Sequence, residues 1–447
     1  MTSGRGGEVD TDIRPTTGRS EPLTSATVGS ALAGVGAQAI VLISGILAAR
    51  VLGPVDRGHL ALLFLIPLIL ALLGGAGVPT AVPYFVARNP AAARLILRRV
   101  APIALCQMVA LPVLQLTILE LAVLRRYPEI RPAALASLAS LPGIILYQYG
   151  IAVLQGLRRL RLYNVLRLLP GATYALALLL LLVVVPGDLE LVTVIWALSL
   201  LLGGTLSLAL VCLRLPQLTT TEAPSRRQLF SFGARGLIGA SSAVDDLQLD
   251  QILVGFLLDA RTLGFYVTGL ALTNLPRFIA QSVSLTLYPH VAQCLTVRDG
   301  LNTMNRYLRI ALPIVLATVL ALLALVGTLI PILFGPTFAP AVPIARILLL
   351  ASLAFAVRRL LAEGARGLGR PGYGAIAEAV ALVVLIPAVV LLGHRGGGEG
   401  VAVASAIASA CSVGIILALL RALARKNRAP VVPQSRIGRP TSVRDPA

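Results

Sequence analysis

HLALLFLIPLILALLGGAGVPTAVPYFVA, residues 59–87, runs for 29 positions without an Asp, Glu, Lys or Arg. The outer face of a helix on a soluble protein carries polar or charged side chains every three or four residues. A helix that is apolar all round and longer than the roughly 20 residues needed to cross about 30 Å of hydrocarbon reads as a membrane span. Working outward from it, similar runs fall at approximately 25–49, 100–124, 132–156, 162–185, 191–213, 233–258, 266–292, 308–334, 340–360, 372–393 and 400–422, which makes twelve.

The composition agrees. Of 447 residues, 57% are hydrophobic and 13% charged, against about 25% charged in soluble chains, and the mean hydropathy is +0.88. A cytosolic enzyme, a nucleic-acid-binding domain and a secreted disulfide scaffold are excluded. The net charge of +19 is no nucleic-acid signature, because the arginines sit in short clusters between apolar runs and form no continuous basic face. Lys426 is the single lysine and Asn427 follows it, so the chain has no G-x-x-x-x-G-K-[ST] phosphate loop. Cys106, Cys212, Cys294 and Cys411 are scattered, and His59, His290 and His394 have no partners at ligand spacing. We assign no metal, no cofactor and no disulfide.

The expected organisation is a polar tail over 1–24 without a signal peptide, a six-helix bundle over 25–215, a linker over 216–232, a second six-helix bundle over 233–424, and a disordered basic tail over 425–447. Counting residues at helix ends, 28 of the 38 basic residues fall in alternate segments beginning with the N-terminal tail, and seven in the others. By the positive-inside rule both termini are cytoplasmic and the protein is multi-pass in the cytoplasmic membrane. No external loop exceeds about ten residues, which points away from membrane glycosyltransferases and toward a protein that is not an enzyme. A shift of 206 residues lays Ile46-Leu47 on Ile252-Leu253, Leu52 on Leu258, Gly58 on Gly264, Thr80 on Thr286 and Pro83 on Pro289. Two halves related by an axis along the membrane normal follow from this repeat.

Four short motifs carry a family resemblance. Ala49-Arg50-Val51-Leu52-Gly53-Pro54, continuing to Gly58, resembles the element after the first helix of polysaccharide flippases. Leu249-Asp250-Gln251-Ile252-Leu253-Val254-Gly255 with Leu263-Gly264-Phe265-Tyr266 is similar to their seventh helix and its turn. Phe334-Gly335-Pro336-Thr337-Phe338 resembles the turn after helix nine, and Gly367-Leu368-Gly369-Arg370-Pro371 the turn into helix eleven. Those flippases belong to the multidrug/oligosaccharidyl-lipid/polysaccharide exporter superfamily. The resemblance implies an all-α protein of two pseudo-symmetric bundles around a central cavity. It also implies alternating-access movement of a polyprenyl-diphosphate-linked oligosaccharide through the lipid bilayer for cell-surface polysaccharide biosynthesis. Asp56-Arg57-Gly58 faintly resembles a major-facilitator loop, but that loop belongs between helices two and three. A multidrug exporter of the same superfamily, or a non-transporting scaffold whose partners are polysaccharide-assembly proteins, are the alternatives.

Ionisable residues inside spans are costly and therefore functional candidates. On a continuous helix at 100° per residue, Arg235, Gly239, Ser242, Asp246 and Asp250 share one sector of helix seven. Asn274, Arg277, Gln281 and Ser284 do the same on helix eight. We take Arg277, Arg235, Gln281, Asn274, Ser242 and Gln38 as candidate substrate contacts, and Asp246, Asp250 and Glu378 as candidates for ion coupling or charge pairing. The plainer reading of Arg277 is a salt bridge to one aspartate that pins two helices; either way a carboxylate is expected beside it. Arg50 and Asp56, at the outer helix boundary, read as loop-stabilising. Reporter fusions at Ser25 and at Arg425 should both signal the cytoplasmic side; an external signal at either end overturns this topology.

Overall fold

A computed structural model describes residues 23–184, 187–215, 223–240 and 248–426. Thirteen α-helices are described in these ranges: α1 (Leu23–Gly74), α2 (Val78–Arg88), α3 (Ala93–Ile118), α4 (Arg131–Ser137), α5 (Ser140–Gly156), α6 (Leu160–Val184), α7 (Leu189–Arg214), α8 (Arg226–Ala240), α9 (Leu249–Leu257), α10 (Ala260–Ala292), α11 (Val297–Phe334), α12 (Ala341–Gly367) and α13 (Gly372–Lys426). Eight of the helical stretches are long and apolar enough to cross a membrane. Two of these cross and return. In α1 the backbone breaks at Gly53, with φ 73°, a conformation that costs glycine little because it has no Cβ. Gly45 and the Arg57 guanidinium then face each other across the turn at 3.9 Å from an ideal Cβ. In α13 the break is Gly397, φ 52°, and it folds Gly400 back onto Leu392. The protein is an all-α membrane protein of about twelve crossings in two pseudo-symmetric bundles around a central cavity.

Residues 1–22 of the expected polar tail, 216–222 of the linker and all but the first two residues of the C-terminal tail lie outside the described residues, as do Ser242 and Asp246. Within the stretch read as linker, α8 already begins at Arg226, capped by Ser225, whose Oγ accepts from the Gln228 amide at 3.2 Å. One expectation needs correcting. The sequence places a single helix over 233–258, but α9 is a separate helix that starts from Gln248 in the left-handed conformation, φ 48° and ψ 46°. The polar stripe from Arg235 to Asp250 is therefore not one helical face, because 100° per residue holds only while the backbone stays helical.

The halves meet through backbone. A Cβ on Gly58 would overlap the Ala260 carbonyl, and one on Gly264 would overlap the Pro54 carbonyl. Residues 54 and 260, like 58 and 264, are related by the 206-residue shift, so the joint is a pseudo-twofold contact in which each half supplies the same two positions. At this end Arg50 Nε also donates to the Leu333 carbonyl at 2.7 Å, and Arg126 Nη1 to the Phe256 carbonyl at 3.1 Å. Both bonds cross from the first half to the second. Deeper, α8 lies on α2, where Gly77 and Gly233 pack carbonyl against Cα and Phe232 stacks on Tyr84 with centroids 4.4 Å apart. Gly58→Val should cost about 1–3 kcal/mol, as overpacking of a close contact does, and lower the thermal midpoint of the purified protein. Gly414→Ala, which meets nothing within 4 Å, should leave the midpoint unchanged.

Candidate functional site

Five helices converge below the Gly58 joint: both legs of α1, then α9, α10, α12 and the two legs of α13. Between them lies a cavity of about 330 Å³ lined by Arg57, Asp250, Asn274, Arg277, Phe355, Arg358 and Ser405, among others. A second chamber of about 220 Å³ adjoins it, lined by Gln38, Asn274, Arg277, Phe278, Gln281, Phe355 and Arg359. Asn274, Arg277 and Phe355 belong to both, so they form the shared wall.

Helix periodicity explains the placement of the α10 residues. Asn274, Arg277 and Gln281 are spaced i, i+3 and i+7, one face of an uninterrupted helix. Arg277 lies 17 residues after the start of α10 and Arg358 lies 17 after the start of α12. At 1.5 Å per residue both sit about 25 Å along their helices, within the hydrocarbon thickness. Phe355, one turn before Arg358, receives both guanidiniums: Arg277 Cζ lies 4.5 Å from its ring centroid and Arg358 Cζ 5.2 Å. A ring at such distances partly replaces lost hydration through its quadrupole.

The carboxylate expected beside Arg277 is absent among the described residues. The ion pair forms one helix over, where Arg358 Nη1 binds Glu378 Oε1 and both residues are buried. Asp250 is also engaged, since its Oδ2 accepts from the Tyr266 hydroxyl at 2.8 Å, and that hydroxyl lies 3.2 Å from Ser405 Oγ. By contrast, the Nε atoms of Arg277 and Arg359 are buried without a hydrogen-bond partner. Buried donors of this kind are rare in folded proteins because each forfeits its hydration. Arg277 and Arg359 both line the smaller chamber, and among the described residues no carboxylate lines it.

Of the sequence candidates, Gln38, Asn274, Arg277 and Gln281 come together in the smaller chamber, and Asp250 lines the larger one. Glu378 pairs with Arg358, which lines the larger cavity. Arg235 belongs to α8, a different helix from Asp250. Three arginines escaped the sequence reading. The apolar spans 25–49 and 59–87 leave Arg57 between them, but the break at Gly53 places it four residues into the returning leg. Arg358 and Arg359 were placed at the end of a span closing at residue 360, whereas α12 continues to Gly367. The available signal was the one that marked Arg277, an arginine inside an apolar run.

Comparison with known proteins fits this architecture. The model of the polysaccharide biosynthesis protein family matches residues 25–295. No curated protein sequence matches the chain. Among solved structures, lipid II flippase MurJ in an inward closed conformation superposes with a TM-score of 0.67 at 15% identity, covering 89% of this chain and 87% of that one. An inward-facing multidrug resistance MATE family transporter of the MOP superfamily gives 0.67 at 16% identity, covering 91% and 100%. An outward-facing MATE transporter gives 0.59 at 16%, covering 92% and 98%. These likenesses are of fold. The family match spans more than half of the chain, including the first bundle, the glycine joint and Arg277 of α10, and on that match the chain belongs to the polysaccharide biosynthesis protein family.

Proposed function

We propose that this protein is a flippase for a polyprenyl-diphosphate-linked oligosaccharide, moving it across the cytoplasmic membrane by alternating access for cell-surface polysaccharide biosynthesis. The observation that carries this reading is the pair of unpartnered, buried Nε donors of Arg277 and Arg359 in a chamber that no carboxylate lines among the described residues. A diphosphate brings charge and acceptor oxygens together, and a guanidinium fork matches phosphate geometry with two parallel charge-assisted bonds. Asn274, Gln281 and Gln38 add amide groups at the same chamber, suited to phosphate and sugar hydroxyls. The polyprenyl tail stays in lipid and needs no polar path.

The electrostatics favour an anionic headgroup over a cationic drug. Arg57, Arg277, Arg358 and Arg359 line the two chambers, against Asp250 within the lining and Glu378 behind Arg358. Among the described residues, four positive charges less two negative leave an excess of two. Closure at the Gly58 end, together with the pseudo-twofold relation of the halves, supports a rocking movement about the glycine joint that opens the cavity to one side at a time.

The test is translocation of a polyprenyl-diphosphate oligosaccharide in proteoliposomes, alongside polysaccharide export in cells. Arg277→Gln and Arg359→Gln should each lower transport about 10–100-fold with normal protein levels, the loss expected for one or two charged hydrogen bonds. Arg277→Lys should keep partial activity. Combining Arg277→Gln with Asp250→Asn should not restore export, because Asp250 is held by Tyr266. Restored export would reduce Arg277 to a structural pin. Wild-type export from Arg277→Gln combined with Arg359→Gln would sink the flippase reading in favour of a scaffold, and efflux of cationic drugs that survives in that variant would favour a multidrug exporter.

A further inference from the structure

A separate cavity of about 830 Å³ lies away from the central site, between the first turns of α11, the end of α13 and Leu361 of α12. Its walls are two helical faces. On α11, Arg298, Asn302 and Asn305 follow at i, i+4 and i+7, beside Leu301, Met304 and Leu308. On α13, Leu417 and Leu420 line the floor and Arg421 the rim. The floor is therefore apolar and the rim cationic. Among the described residues no carboxylate lines the cavity. Neither Arg298 nor Arg421 makes a hydrogen bond or ion pair with a described residue.

Its depth fits a lipid headgroup. Arg421 is 23 residues beyond Gly398, where the last leg of α13 starts, or about 35 Å along the helix at 1.5 Å per residue. That is just past about 30 Å of hydrocarbon, on the side that the arginine distribution assigns to the cytoplasm. Leu361 and Leu417 lie nearer the hydrocarbon edge. Basic pockets between membrane helices at this level suit anionic phospholipid headgroups. The geometry points to a binding site for one anionic phospholipid of the cytoplasmic leaflet: its phosphate lies between Arg298 and Arg421 with the two asparagine amides, and its first acyl carbons lie on Leu301, Leu417 and Leu420. The chain's own C-terminal residues 427–447 carry Arg428, Arg436, Arg439 and Arg444, so like charge opposes their occupying the groove.

Native mass spectrometry of the delipidated full-length protein, titrated with phosphatidylglycerol and with phosphatidylcholine, tests this directly. The wild type should bind phosphatidylglycerol in preference. Arg298→Gln with Arg421→Gln should weaken phosphatidylglycerol binding by at least about tenfold, as expected for two arginines near an anionic surface, and leave phosphatidylcholine binding unchanged. Arg298→Lys with Arg421→Lys should retain most of the preference. Equal binding of the two lipids by the wild type, or an unchanged preference in the double glutamine variant, overturns the site. A gain of phosphatidylglycerol binding on removal of residues 427–447 overturns it too, because the tail is then the occupant. Binding is read without transport, so the outcome is independent of the central cavity's role.

Discussion

Placing a guanidinium within the hydrocarbon thickness costs about 2.5–3.5 kcal/mol on insertion scales, and this protein does so repeatedly around one cavity. Much of the remaining structure follows from how that cost is met. Arg358 is neutralised by Glu378 in a buried pair, an arrangement in which removal of either partner strands a charge. Phe355 offers its ring to both Arg358 and Arg277. Arg277 and Arg359 nevertheless keep Nε donors open. On the flippase proposal, these unmet donors are assigned to the phosphate of the substrate.

Such a cavity is tolerable only where lipid cannot reach it, and the two-bundle design provides the place. The joint at Gly58 and Gly264 brings the halves into backbone contact at one end, and the packing of α8 on α2 ties them deeper down. Because positions 54 and 58 of one half meet 260 and 264 of the other, the contact is nearly self-complementary, as isologous contacts are. A contact built from carbonyls and absent side chains is close but makes few specific bonds.

Legibility in the sequence tracked the continuity of the backbone. Asn274, Arg277 and Gln281 were found together because α10 is unbroken from Ala260 to Ala292, so spacing translates into a face. Asp250 was placed on a face shared with Arg235 that does not exist, because Gln248 leaves the helical region and starts a new helix. Arg57, Arg358 and Arg359 were missed for a related reason. Their helices bend or extend beyond the hydropathy boundary, and an average over apolar residues cannot locate a one-residue break such as Gly53.

By itself, then, the sequence determined the membrane class, the number of crossings, the repeat between halves and one polar face of the cavity. Each of these is fixed by local composition or by periodicity along a continuous helix. Only the tertiary structure decided which charges meet: that Glu378 pairs with Arg358 and not Arg277, that Tyr266 holds Asp250, and that arginines from both halves line one space. Those outcomes depend on helix ends, kinks and crossings that decide which side chains of different helices face one another, and short-range pattern carries no record of them.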